Sequence, residues 1–353
     1  LAVIYIVTHP TMRKAIIYIS LIVALMTLNL AKAGAQIIQF SQFYAAPLFL
    51  APSYAGECFG SRLSLNYRNQ WPEVGMFNTY ALSYDQNLYK INSGVGMMVL
   101  RDDAGDGDLA LTTVDICYSW WTRVNPQWIF RPGIGLKYNQ RSINFEELIF
   151  GDMIDEMGNV TKRTIENPPL THKPYLDMQV SALMYSDKYW GGLSVDHLLR
   201  PKASLYDDNN YHEDMKLTIF GGAKIYVGGA STSRGRKDKE DMQSVSFTLL
   251  YDYSKLSDNL YLGAYWHKDP FTLGAWIKGI PVAVRKDTYS NIDAMVVMLG
   301  YKIFDLHVGY SYDFTIGHLL SSTGGSHEIS IQYEFSPKAK GKKRHQVIAC
   351  PRL

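Results

Sequence analysis

The stretch 304–335 alternates strictly between apolar and polar positions. Phe304, Leu306, Val308, Tyr310, Tyr312 and Phe314 interleave with Asp305, His307, Gly309, Ser311 and Asp313. After a Gly/Ser-rich turn, Ile329, Ile331, Tyr333 and Phe335 interleave with Glu328, Ser330, Gln332 and Glu334. Side chains of a strand point to opposite faces with period 2, so each segment has one apolar and one polar face. A soluble sandwich would alternate in the same way. Here, however, Tyr and Phe gather toward the strand ends, as they do in the aromatic girdles of a lipid-facing wall. The pair reads as the closing hairpin of a transmembrane β-barrel.

The same period recurs upstream. Leu63, Leu65 and Tyr67 alternate with Arg62, Ser64, Asn66 and Arg68, and Tyr80, Leu82 and Tyr84 with Thr79, Ala81, Ser83 and Asp85. Residues 94–101 form a weaker, Gly- and Met-rich strand. Val114, Ile116, Tyr118 and Trp120 mark a fourth, and Trp128, Phe130, Ile134, Leu136 and Tyr138 a fifth, with Arg131, Lys137 and Asn139 turned inward. Strands are expected near 176–181, 189–197, 215–227, 245–253, 259–267, 271–278 and 292–301. The sum is about fourteen, even as single-chain bacterial barrels require, and even parity puts both ends in the periplasm. The long connections 102–108, 144–174, 199–214, 281–291 and 315–326 are then extracellular. The turns near 89–91, 125–126, 186–187 and 268–270 are periplasmic. The charged stretch 228–243 breaks this rule, being long and on the periplasmic side; either the count has slipped by one hairpin or it is an insertion, the reading preferred here.

Two segments do not fit the barrel pattern. Residues 36–60 contain Phe40-Ser41-Gln42-Phe43-Tyr44, then Pro47 and Pro52, whose spacing forbids a regular central strand or helix. The segment is too apolar to stay in water, so it is expected in the lumen or at the periplasmic rim. Residues 336–353 follow the closing strand with Lys338, Lys340, Lys342, Lys343 and Arg344, then apolar 347–349 and Cys350. Basic then apolar suits a segment steered by charge and anchored by burial; a disordered extension is the competing reading.

Composition adjusts this picture in three places. A net charge of +2 over 353 residues proposes no nucleic-acid partner. Mean hydropathy of -0.12 is too polar for a helical membrane protein but not for a barrel, whose lipid-facing residues are diluted by lumen residues. Met12-Arg13-Lys14, the apolar run 15–30 and the small residues Ala31-Lys32-Ala33-Gly34-Ala35 read as a secretory signal peptide cleaved after Ala35, with 1–11 as upstream sequence. An N-terminal anchor is the alternative, disfavoured by the short run and the small-residue site that follows.

Candidate chemistry is sparse. Four carboxylates lie in Asp102-Asp103-Ala104-Gly105-Asp106-Gly107-Asp108, but the spacing is not a calcium loop and suits a solvated hairpin tip. The nine His show no metal-ligand spacing; His307 and His327 are expected to line the lumen. Cys58, Cys117 and Cys350 allow at most one internal pair and no metal site, with Cys117 turned to the lumen. No nucleophile elbow or phosphate loop occurs. The expectation is no catalytic residue, metal or cofactor.

Phe40-Ser41-Gln42-Phe43-Tyr44 with Pro47-Leu48, Pro52 and Ala55-Gly56, together with Gly309-Tyr310-Ser311-Tyr312-Asp313-Phe314 and Gly325-Ser326-His327-Glu328-Ile329-Ser330, resemble the PorP/SprF family of outer-membrane proteins of the type IX secretion and gliding machinery. The chain departs from that pattern at Ala45-Ala46, in a 230–241 insertion and in its extended tail. The resemblance implies an integral outer-membrane protein with no enzymatic activity. Its partners would be membrane lipid, a secreted client, and the translocon and periplasmic ring proteins. The positions offered for partner binding are Phe40, Ser41, Gln42, Tyr44, Pro47, Pro52, Lys342, Lys343, Arg344 and Cys350. A general diffusion porin and a scaffold for ring components are the alternatives.

Overall fold

A computed structural model describes residues 38–335, except 76, 106–108, 146–147, 150, 156–159, 161–163, 165–169, 206–211, 228–242, 256–257, 280–291 and 317–322. The signal-peptide region, the 230–241 insertion and the tail therefore lie outside the described residues.

The strands run in chain order as one antiparallel sheet. They are β1 (Ser61–Gln70), β2 (Phe77–Leu88), β3 (Ser93–Ala104), β4 (Leu109–Trp120), β5 (Thr122–Arg123), β6 (Ile129–Ser142), β7 (His172–Tyr185), β8 (Tyr189–Asp196), β9 (Lys216–Val227), β10 (Gln243–Tyr253), β11 (Asp258–Lys268), β12 (Phe271–Gly279), β13 (Ile292–Ile303), β14 (Leu306–Thr315) and β15 (Ser326–Phe335). The first strand pairs with the last over ten residues, from Ser61 opposite Phe335 to Gln70 opposite Ser326, and the cylinder is closed. β5 continues β4 in the same register against β6. The ladder lapses where Trp120 meets Pro132, which has no N–H to give; the N–H of Trp121 bonds Asn92 O instead. Fourteen full strands remain, the number the alternation predicts.

Across its middle the outer face is apolar. Leu65, Leu82, Met97, Ile116, Leu136, Leu176, Leu249, Val297 and Ile329 are exposed in the isolated chain, a continuous band that no soluble protein presents to water. Tyr84, Tyr118, Trp120, Tyr189, Phe271, Tyr301, Tyr333 and Phe335 ring it near one rim, and Tyr80, Tyr138, Tyr253 and Phe314 near the other. Among the described residues no helix is long and apolar enough to cross a membrane; the strands do so.

Both ends of the barrel, Ser61 and Phe335, lie at the same rim, here called the terminal rim. Its turns include Tyr89–Ile91 and the two-residue links 269–270 and 304–305. β9 and β10 meet at this rim, with Val227 opposite Gln243.

Three expectations change. Phe304 is not a strand residue: it sits in the two-residue turn with φ +55°, 91% exposed, because β13 and β14 pair to their ends and leave only 304–305 to reverse the chain. His327 faces outward, not into the lumen. It shares the parity of Ile329, and its Nδ1 is 2.8 Å from the Tyr310 hydroxyl. The loops are shorter than the composition suggests, since Asp102 and Asp103 extend β3 and 172–174 begin β7.

Candidate functional site

The chain enters the described region inside the barrel. Residues 38–60 fold into a wedge of short turns within the lumen: a 3-10 turn at Phe43–Ala45, a single helical turn at Pro47–Leu50 and a second 3-10 turn at Pro52–Tyr54. Each proline stands at the first position of its turn, where a missing N–H costs nothing. Leu48, Ala51, Ser53 and Ala55 are fully buried.

The upper part of the wedge is fixed by charge. Glu328 is fully buried, and its two oxygens accept the backbone N–H groups of Ser41 (2.7 Å) and Gln42 (2.9 Å). Arg68 donates to Glu328 (3.1 Å), to Asp313 (2.7 Å) and to the Ser41 hydroxyl (2.8 Å). The Ser41 hydroxyl in turn donates to Asp313 (2.6 Å). The Gln42 amide donates to Ser311 Oγ and to the Glu328 carbonyl, both at 3.0 Å, and its oxygen accepts from Ser330 (2.6 Å). Strands β1, β14 and β15, which close the barrel, thus hold the first residues of the wedge.

The lower part is fixed by backbone. The Ala55 carbonyl accepts from Arg131 and from Ser119. The Gly56 N–H donates to Asp85 (2.8 Å), which Arg62 also holds (2.9 Å). The Ser53 N–H donates to Ser181 Oγ (2.8 Å). The wall is cut away to receive these atoms: a Cβ on Gly94 would come within 1.9 Å of the Ala55 carbonyl oxygen, and one on Gly133 within 2.3 Å of Ser53 N.

A third side is dry. Phe43, Leu50 and Ala51 pack into a cluster formed by lumen-facing Trp190, Phe220, Leu250, Tyr261, Tyr265, Trp276, Val296 and Met298. The Tyr44 ring lies edge-on to Tyr265, centroids 5.2 Å apart, and its hydroxyl donates to Met298 Sδ at 2.8 Å. Burial, and then the Glu328 charge, push the Tyr44 phenol well above its ordinary pKa, so it remains a donor.

Of the positions singled out from sequence, Phe40, Ser41, Gln42, Tyr44, Pro47 and Pro52 come together in this wedge; Ser41, Gln42 and Tyr44 bond the barrel itself, while Phe40 packs edge-on to Phe49 of the wedge. Lys342, Lys343, Arg344 and Cys350 lie outside the described residues. Cys117 lies in the lumen against Leu48, and the Cys58 thiol lies 3.6 Å from Asp85 Oδ2. Sequence reading missed the receiving side: Arg68, Asp313 and Glu328 were placed on the lumen face but not recognised as one network. Their signal is that two lumen carboxylates on the last hairpin face a lumen arginine on the first strand, which only barrel closure brings beside it. The apolar wall was also missed, although runs such as Met295-Val296-Val297-Met298-Leu299 and Leu249-Leu250-Tyr251 carry apolar residues on both faces, which a water-filled lumen does not want.

Solved structures with a similar barrel include the KdgM porin (11% identity, 78% of this chain and 99% of that one, TM-score 0.34). They also include the P. putida toluene transporter TodX (10% identity, 80% and 91%, TM-score 0.42). These likenesses are loose and add nothing to the reading of the wedge. No curated protein matches the chain. The family model described as "Type IX secretion system membrane protein PorP/SprF" matches residues 32–333, which takes in the wedge and the whole barrel but the last two residues of β15, and the chain belongs to that family.

Proposed function

We propose that this outer-membrane barrel is a closed, non-enzymatic component of the type IX secretion system that receives or tethers a secreted surface protein, and is not a diffusion pore. The observation that carries the reading is the wedge. Its contacts reach β1, β2, β4, β6, β7, β11, β13, β14 and β15, and a lumen held on so many sides serves poorly for free passage of solutes. The terminal rim, with its short turns, is taken as periplasmic, because outer-membrane barrels keep short turns on that side. The secretion partners would then be met at two places: the client at the opposite, extracellular rim, and the translocon or periplasmic ring proteins at the terminal rim. There the basic tail 336–353 is proposed as a docking peptide.

The test is purification of the tagged chain from its native outer membrane, with identification of bound proteins and measurement of the client's surface level in its absence. The reading expects a secreted surface protein and secretion components to co-purify, and the surface protein to be lost from cells lacking the barrel. A chain that isolates alone and conducts ions steadily in planar bilayers is a porin. For the tail, truncation after Ser336 leaves β15 intact, so the barrel should assemble while partner recovery falls; unchanged recovery and unchanged secretion remove the docking role.

A further inference from the structure

Beside the wedge, toward the rim opposite the termini, the lumen wall carries a second group of ionisable side chains that the closed-barrel reading does not use. Asp177 on β7, and Asp196 with His197 at the end of β8, lie about twenty residues apart in sequence. The β7–β8 register, Val180 opposite Val195 and Ser181 opposite Ser194, brings them together. One ligand-type atom from each lies within 4.8 Å of the other two. His197 Nδ1 is 2.6 Å from Asp177 Oδ2, and the His197 backbone N–H donates to Asp196 Oδ1 at 2.9 Å. Lys137 on β6 donates to Asp196 Oδ2 at 2.6 Å.

The independent observation is Asp115 on β4. It is fully buried, and apart from the weak thiol donor of Cys117 neither carboxylate oxygen has a hydrogen-bond partner. It stands directly opposite Lys137 in the β4–β6 register, as Asp177 does in the β6–β7 register, and within electrostatic reach of Asp196. The Lys137 ammonium thus has carboxylates on both flanks and is committed to Asp196, while Asp115 goes without. Three carboxylates face one ammonium and one imidazole. With the imidazole neutral the group carries two negative charges in excess, inside a wall where an unpaired charge is costly.

We propose that Asp177, Asp196 and His197 bind one divalent transition-metal cation of the Zn2+ type, and that Lys137 moves to Asp115 when the cation arrives. The charge then closes: three carboxylates balance one ammonium and one dication. The donor set selects the metal class. An imidazole nitrogen with two carboxylate oxygens suits Zn2+, whereas Ca2+ and Mg2+ take oxygen ligands. Ligands at about 2.0–2.2 Å from Zn2+ must lie roughly 3.3 Å apart, so the His197–Asp177 contact need open by less than about 1 Å. The cation takes the place of the proton between His197 Nδ1 and Asp177; the neutral ring keeps its single proton, shifted through solvent to Nε2, so the charge count is unchanged. Access is from the rim: the His197 side chain is 29% exposed, and Asp196 lines a cavity of about 30 Å³. In this scheme Asp115 never touches the metal; it is a positioning residue that receives Lys137.

The test is titration of the folded, tag-free full chain with ZnCl2, and separately with CaCl2 and MgCl2, by calorimetry, with Zn K-edge absorption on the loaded sample. One Zn2+ per chain is expected, with an oxygen/nitrogen shell containing one imidazole, and no saturable uptake of Ca2+ or Mg2+ at the same concentrations. His197→Ala should weaken Zn2+ binding at least tenfold. Asp115→Asn should also weaken it about tenfold or more, as loss of an outer partner does, while leaving the absorption spectrum of the loaded site unchanged. A merely structural Asp115 would leave the affinity unchanged, and that result overturns the Lys137 movement. Should either variant fail to fold, the spectrum of the natural chain still decides the site itself. No stoichiometric Zn2+, a sulfur shell from Cys58 or Cys117, or more than one imidazole would overturn it.

Discussion

The two sides of the lumen hold the same wedge by opposite means. Around the closing seam, β14–β15–β1–β2, the inward residues are Asp313, Glu328, Arg68, Arg62 and Asp85, each fully or nearly fully buried, and they grip the backbone of Ser41, Gln42 and Gly56. Across from them, on β8–β13, the inward residues are Trp190, Phe220, Leu250, Tyr261, Tyr265, Trp276, Val296 and Met298, and they offer surface to Phe43, Leu50 and Ala51. Apolar burial is strong but undirected. A buried carboxylate with two backbone N–H donors accepts only one pose. The dry wall thus supplies adhesion, and the charged wall supplies register. A water-filled porin needs neither.

The largest effect should come from the charged wall. Glu328→Ala removes one of the two carboxylates that hold Arg68 and leaves two backbone N–H groups without their acceptor, and breaking a buried pair in this way costs about 3–5 kcal/mol. The wedge should loosen while the cylinder stays closed. A lower unfolding temperature by heat-shift on gels, with faster hydrogen exchange confined to residues 38–60, would show it; unchanged exchange there would deny the network its role. On the dry wall Phe43→Ala should cost about 3 kcal/mol, the low end for such truncations because the residue keeps 9% of its surface exposed. It should leave the Glu328 contacts in place, so exchange should rise at 43–51 and not at 41–42. Equal loosening of both ends would mean that the two walls do not act separately.

Smaller changes sharpen the same contrast. Gly133→Ala drives a methyl against Ser53 N and should cost about 1–3 kcal/mol by overpacking, measured in the same unfolding assay; a neutral result would mean the wedge does not sit against β6. Tyr44→Phe loses only the hydroxyl bond to Met298, about 1 kcal/mol. It also carries a pH signature. The folded phenol titrates above its unfolded value, so its contribution is complete below about pH 10 and is lost as the pH rises beyond that. Tyr44→Phe should lose stability less steeply above pH 10 than the natural chain; parallel alkaline profiles would count against burial of the hydroxyl.

How much of this was legible follows from what alternation can report. The outer face could be read at nearly every strand, because lipid demands an apolar residue at each second position, as at Leu63, Leu65 and Tyr67 or Val245, Phe247 and Leu249. The wedge was legible as an apolar, proline-broken segment needing cover. Its partners were not, because Ser41 and Glu328 are 287 residues apart and only closure of β1 on β15 makes them neighbours. Ser311 shows the limit. Alternation places it on the lumen face and says nothing of what covers it; in the structure it is fully buried against Gln42. His327 was misplaced for a local reason: a polar residue was assigned by type, when its parity with Ile329 put it outside, within hydrogen-bond reach of Tyr310.

Single-channel recording in planar bilayers compares the two states of the lumen most directly. The full chain should show no steady conductance, and Glu328→Ala should show brief openings. A chain lacking residues 38–56, confirmed as a folded barrel by heat-modifiable migration, should conduct continuously. A full chain that conducts as steadily as the deleted one would contradict the claim that the N-terminal wedge closes this barrel.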